Sequence, residues 1–222
     1  MKSIDRRSMV ALLGAAPLVG GALLIGGEAQ AHTPAAKPSK FREIDPRERI
    51  RQRYFPDLVL VTHEGKKVRL YDDLIKDKIV IINFMYAKCE GICPPVTANL
   101  AKVQSLLGDR MGKDIFINSF TLKPEQDTPE ALKRYADAYK VRKGWTFVTG
   151  KPADMETIRR KLGFTDPDPE RDRDKTNHIG NISYGNEPLQ RWGGAPGTSK
   201  PDWIVKMVSW VDWPKGMKGG GV

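Results

Sequence analysis

Cys89 and Cys93 are the only two cysteines in this chain of 222 residues, and they lie in Phe84-Met-Tyr-Ala-Lys-Cys89-Glu-Gly-Ile-Cys93-Pro94-Pro95. Two thiols so placed can close a disulfide, exchange one with a partner, or hold a soft metal ion. A two-residue spacer is usual in thiol oxidoreductases. The three-residue spacer makes a wider loop that still permits a disulfide but opens both sulfurs toward a common point. Cu(I) favours such thiolates, and a histidine would complete a trigonal Cys₂His site.

The elements around the pair fix its setting. Ile79–Met85 is a continuous apolar, β-branched run, as in a strand buried on both faces. From Pro94 to about Leu107, Val96, Leu100, Val103 and Leu107 recur at helical spacing, with prolines tolerated in the first turn. Cys93 then sits near the helix N-cap and Cys89 on the preceding loop. Unpaired N–H groups at that end, together with Lys88, favour thiolate. Leu58–Thr62 and Lys67–Leu70 flank the turn His63-Glu-Gly65 as an N-terminal β-hairpin. Strands are predicted at Ile115–Phe120 and Trp145–Val148. Helices are predicted from Asp127-Thr-Pro-Glu130 to Tyr139, with Asp127 or Thr128 as N-cap, and from Asp154 to Leu162. This order gives an α/β fold, a central sheet flanked by helices, with Met85 and Phe120 at one sheet edge. A strand, a two-cysteine turn and a helix in that setting resemble a thioredoxin-like fold.

Residues 1–31 read as an export signal: Arg6-Arg7, an apolar stretch to about Ile25, then Ala29-Gln-Ala31. The paired arginines suggest the twin-arginine route and a periplasmic location, where disulfides persist. Residues 32–53 read as a charged, flexible lead-in, 54–214 as the domain, and 215–222 as a disordered tail. The formal net charge is +10. Its basic residues are scattered, without RNA-binding or zinc-finger spacing, which with export argues against nucleic acid. They form a solvated surface or a basic docking face for an acidic partner.

Of the three histidines, His63 reads as a surface turn residue and His32 as the mature N-terminus, where amine and imidazole can chelate Cu(II). His178, in Thr176-Asn-His178-Ile-Gly-Asn-Ile-Ser-Tyr184, reads on its own as a hydrogen-bonded structural residue. The acidic run Asp166–Asp174 is interleaved with Arg171 and Arg173 and has no loop glycine, which opposes a calcium site. It reads as a solvated loop. Trp203, Trp210 and Trp213, with Ile204, Val205, Met207 and Val208, read as a core-packing helix with a Trp-Pro stop; partner docking or membrane contact is the alternative.

From about Tyr54 to Trp192 the chain resembles the Sco/SenC family of copper proteins. The resemblance rests on Cys89-x-x-x-Cys93-Pro94 after its strand, Lys123-Pro-Glu-Gln-Asp-Thr-Pro-Glu130, the passage through Tyr139 and Trp145 to Thr149-Gly150, and His178 with Tyr184 six residues on. It implies copper held by Cys89, Cys93 and His178, membrane proximity, and delivery of copper to a respiratory copper enzyme such as cytochrome c oxidase. Alternatively, Cys89 and Cys93 act as the redox pair of a periplasmic thiol–disulfide oxidoreductase that reduces the partner's cysteines, with Cys89 attacking and Cys93 resolving. Two positions depart from the family pattern. Lys123 stands where an acidic residue is usual, opposing a cation and favouring thiol redox chemistry. Glu90 replaces a proline, as a carboxylate near the metal or a solvent-exposed loop residue.

Overall fold

The computed structural model describes residues 44–177 and 180–213; the expected export signal, His32, His178 and the tail from Pro214 lie outside them. The chain runs α1 (Pro46–Tyr54), β1 (Val59–Thr62), β2 (Lys67–Arg69), α2 (Leu70–Leu74), β3 (Ile79–Met85), α3 (Cys93–Leu107), β4 (Ile115–Thr121) and α4 (Pro129–Ala138). It continues through β5 (Trp145–Thr149), α5 (Pro152–Lys161), α6 (Pro169–Arg173), β6 (Asn181–Asn186), β7 (Arg191–Pro196) and α7 (Pro201–Val211). One seven-stranded sheet has the order β2-β1-β5-β4-β3-β6-β7. β3, β4 and β5 are parallel, with Met85 opposite Thr121, and the flanking strands are antiparallel. The expected sheet, hairpin and shared edge are all present.

All seven residues of β3 are buried, because helices cover both faces. Ile79, Ile81 and Met85 pack with Val96, Leu100 and Val103 of α3 and Ile204 and Val208 of α7. Val80, Ile82 and Phe84 pack on the other side with Leu70, Met155 and Ile158. Asn83 is the polar exception on this strand. Its side-chain oxygen accepts from the Ser119 hydroxyl at 2.7 Å, and Ser119 in turn accepts from the Trp145 indole N–H at 2.8 Å. A buried chain of bonds thus ties β3, β4 and β5 together, at a depth where an unmet donor would be costly.

Several boundaries differ from the sequence reading. The expected flexible lead-in through residue 53 is corrected over 46–53, which is helix α1. The helix buries none of its side chains, so it has no apolar stripe for the sequence pattern to register. Asp45 caps it, and Arg47 anchors it to Glu187 in the β6–β7 turn. Leu70 opens α2 rather than closing the hairpin. Thr128 caps α4 through the Ala131 N–H, while Asp127 turns inward. β6 and β7 went unread because glycines dilute their β pattern. Those glycines make room: a Cβ on Gly185 would lie 2.1 Å from the Trp192 ring, and one on Gly193 2.8 Å from the Tyr184 ring. α7 is the expected packing helix, but its tryptophans are not part of the core. Ile204, Met207, Val208 and Val211 are buried, whereas Trp203, Trp210 and Trp213 are exposed.

Candidate metal centre

β3 delivers the chain to the carboxyl edge of the sheet, and α3 carries it back; the cysteines occupy the turn between. Cys93 is the first residue of α3, one position earlier than the proline pattern predicts, and Cys89 lies on the loop before it. Pro94 and Pro95 follow and have no N–H, so the donors nearest the sulfurs are few and definable. Both cysteines are free thiols and both are buried, Cys89 at 6 % and Cys93 at 2 % exposure.

The two sulfurs are unequal in electrostatic terms. Burial opposes ionisation of Cys89, but the Cys93 thiol, the backbone N–H groups of Cys93 and Gly91, and the Tyr86 hydroxyl all donate to its sulfur. Together they hold it below the ordinary thiol range. Cys93 moves the other way. Burial pushes it up strongly, and the neighbouring Cys89 and the Asp127 carboxylate add to the effect. The arrangement makes Cys89 the more readily ionised of the two, with Cys93 as the thiol that donates to it. Lys88, expected to assist, is solvent-exposed; the chief donors are uncharged.

Two residues that the sequence reading did not assign to the site shape it. Tyr86, three positions before Cys89, is buried, and its hydroxyl is pushed up to about 12 by burial and by its bond to Cys89. Asp127 is 2 % exposed; it accepts from the Ala87 N–H at 3.1 and 3.2 Å and from the Thr121 hydroxyl at 2.5 Å, fixing the turn that follows β3. Burial raises its pKa. The sequence signal for Asp127 was ambiguous, because an aspartate before Thr-Pro also reads as a cap. Lys123 places its ammonium 4.2 Å from the centroid of the Tyr86 ring. The ammonium thus lies over the face of the ring whose hydroxyl donates to Cys89. Glu90 is exposed, in line with a loop residue. A Tyr86→Phe variant removes one donor to the Cys89 thiolate. Its thiol titration should move up by about one pH unit, the value of one charge-assisted hydrogen bond. An unchanged ultraviolet thiolate titration would show that the backbone donors suffice.

The other sequence candidates separate cleanly. His63 is half-buried on the hairpin, and its Nδ1 accepts from the Phe147 N–H at 3.1 Å. β5 and β4 lie between its strand and β3, so it is no part of the cysteine site. In the acidic run, Asp172 is bound by Arg159 at 2.6 Å through both oxygens and Asp168 caps α6; the guanidinium holds the acidic oxygens that a calcium ion would need. Among the described residues, no group of three His, Cys, Asp or Glu side chains could hold a metal. His178 lies outside them. Gly180, two residues further on, is described. A Cβ there would lie 2.3 Å from Cγ1 of Ile92, the residue before Cys93, and Gly197 donates to the Gly180 carbonyl at 2.7 Å.

Comparison with known proteins points the same way. The chain is 36 % identical over 88 residues to the SCO1 protein homolog of Bacillus subtilis (strain 168), covering 39 % of this chain and 44 % of that protein. It spans about half the length of the curated relatives it matches. ScoI of Bradyrhizobium japonicum, solved with copper bound, matches in fold with TM-score 0.57 and 21 % identity, over 71 % of this chain and 98 % of that one. The solved BsSco, described as a member of the Sco family of cytochrome c oxidase assembly proteins with a disulfide switch, matches with TM-score 0.58 and 25 % identity, over 71 % and 92 %. The family model described as SCO1/SenC matches residues 46–184, more than half of the sequence, and the chain belongs to that family.

Proposed function

We propose that this protein binds Cu(I) through Cys89, Cys93 and His178 and delivers it to a respiratory copper enzyme such as cytochrome c oxidase, after export to the periplasm by the twin-arginine route. The observation that carries the reading is the pair of free, buried, hydrogen-bonded thiols at the start of α3 in a SCO1/SenC chain. The donor set suits the ion. Two neighbouring thiols become two soft thiolates when a cation displaces their protons to solvent. The buried Asp127 carboxylate, which acts on Cys93, is occupied by Ala87 and Thr121. Gly180 against Ile92 supports His178 as the third donor, because it ties the chain two residues away to the cysteine turn. Copper here is cargo. The recipient's thiolates would replace those of Cys89 and Cys93 one at a time.

The test is competition for Cu(I) between a chromophoric chelator and the fully reduced protein. Wild type should take up one ion per chain. His178→Ala should lose more than the roughly 10–100-fold that removing an outer-shell partner costs. No uptake by the reduced wild type would refute the copper reading.

The unequal thiols favour a second reading, reduction of a partner disulfide. Cys89 thiolate attacks one partner sulfur and releases the other as thiolate. Cys93 then gives up its proton and attacks Cys89, which frees the partner dithiol and leaves Cys89–Cys93 oxidised. This exchange should survive His178→Ala.

A further inference from the structure

We propose that α7 is a membrane-contact element, with Trp203, Trp210 and Trp213 seated in the interface of an anionic bilayer. The starting observation is that the tryptophans of this helix are turned away from its own core. Its other face is fully used, since Ile204, Met207, Val208 and Val211 are buried. Trp203, Trp210 and Trp213 are 43 %, 49 % and 53 % exposed. Their spacing, with Lys206 between them, is three or four residues at each step, so the four side chains fall on one stripe. The Trp213 N–H bonds the Trp210 carbonyl, continuing the turn past the helix end.

The composition selects the occupant. Tryptophans also anchor protein interfaces, but lysine is depleted there, and Lys206 lies inside this stripe. A row of tryptophans with interleaved basic residues matches the headgroup boundary, where the ring is buried and the N–H and cations stay wet. Lys206 lies 5.6 Å from the Trp210 ring centroid, and Arg191 donates to the Trp213 carbonyl at 2.8 Å. Asp202 is the one exposed carboxylate on the helix. The sequence after Trp213 adds Lys215 and Lys218 and no acidic side chain. This charge complements anionic lipid. No helix of the described residues is long and apolar enough to cross a membrane, so the contact is peripheral. α7 runs parallel to α3, since Asn99 of α3 bonds the carbonyls of Gly197 and Ser199 before α7, and Arg110 after α3 bonds Asp212 after α7.

The experiment uses the full chain with vesicles of phosphatidylcholine and phosphatidylglycerol at three to one, part of the phosphatidylcholine brominated on its acyl chains. Tryptophan emission should shift to the blue and be quenched. Trp203→Ser/Trp210→Ser should lower partitioning roughly tenfold, and Lys206→Glu several-fold. Salt at about 1 M, where screening acts within about 3 Å, should weaken wild-type binding. Circular dichroism melts confirm that the variants fold. Absence of bromine quenching in wild type, or equal partitioning of the double Trp variant, overturns the proposal. Equal partitioning would place any vesicle binding in another segment, such as the N-terminal apolar stretch. A concentration-dependent dimer abolished by the Trp substitutions also overturns it, because the stripe would then be covered by a second copy.

Discussion

A Glu187→Ala variant is expected to be about 3 kcal/mol less stable than the parent in urea denaturation at neutral pH. The Glu187 side chain is 1 % exposed. It accepts from Arg47 Nε at 2.6 Å and Nη2 at 2.5 Å, from the Tyr71 hydroxyl at 2.7 Å, and from the Asp77 N–H at 2.8 Å. Truncation removes the acceptor of all of them, although Arg47 keeps Asp77. Arg47 is 34 % exposed, so water recovers part of its loss, which keeps the effect below the top of the range for broken buried pairs. The Tyr71 hydroxyl, on a residue 8 % exposed, has little such recourse. The sign with pH follows from linkage. These bonds hold Glu187 below its ordinary range against the opposing effect of burial. Its contribution is therefore full above that range and lost as pH falls through the folded value. Glu156, lowered to about 2 by Arg159, behaves alike. Acid should unfold the parent over this window, with a shallower pH dependence in Glu187→Ala. Coincident urea midpoints for parent and variant would mean that the network contributes nothing net.

Gly180→Ala should cost about 1–3 kcal/mol, the range for overpacking a filled site, and the same change should weaken copper binding. The added methyl would meet Cγ1 of Ile92 at 2.3 Å and Val96 at 3.0 Å. Either the strand leading into β6 lifts away or the first turn of α3 moves, and that turn carries Cys93. Ile92→Ala removes the colliding atom. The Gly180→Ala/Ile92→Ala double variant should therefore be more stable than the two single losses predict together, and should recover part of the copper affinity. Strict additivity in a double-mutant cycle would show that the two residues do not press on each other.

The parts legible in sequence are those where one physical pattern dominated. β3 was readable because burial on both faces demands an unbroken apolar run, and α3 because its buried stripe recurs at helical spacing. The cysteines were readable because no other cysteine competes with them. α1 was not, because it buries no side chain fully and is held by scattered long-range contacts, chiefly Arg47 with Glu187 and a partly covered Ile50. β6 and β7 were not, because Gly185 and Gly193 serve the rings opposite them and not the local backbone preference. Within the site, Tyr86 and Asp127 act through bonds that depend on which neighbouring strands bring Thr121 and Asp127 beside Met85 and Ala87. Local spacing does not encode that adjacency. Lys123 stood out in sequence by its charge, but its contact with the Tyr86 ring is evident only in three dimensions.

The contact of Gly180 and Gly197 with the first turn of α3 also sets an order of events during folding. β3, α3, β4 and β5 can assemble from neighbouring segments, whereas Gly180 and Gly197 meet Ile92 and Val96 across roughly ninety to a hundred residues of sequence. Until they do, the first turn of α3, which carries Cys93, lacks the packing that Gly180 and Gly197 give it. A Cys89–Cys93 disulfide should therefore form most readily before β6 pairs with β3. Slower docking of β6 should then raise the oxidised fraction of the finished protein, as a thiol count after refolding at different rates would show.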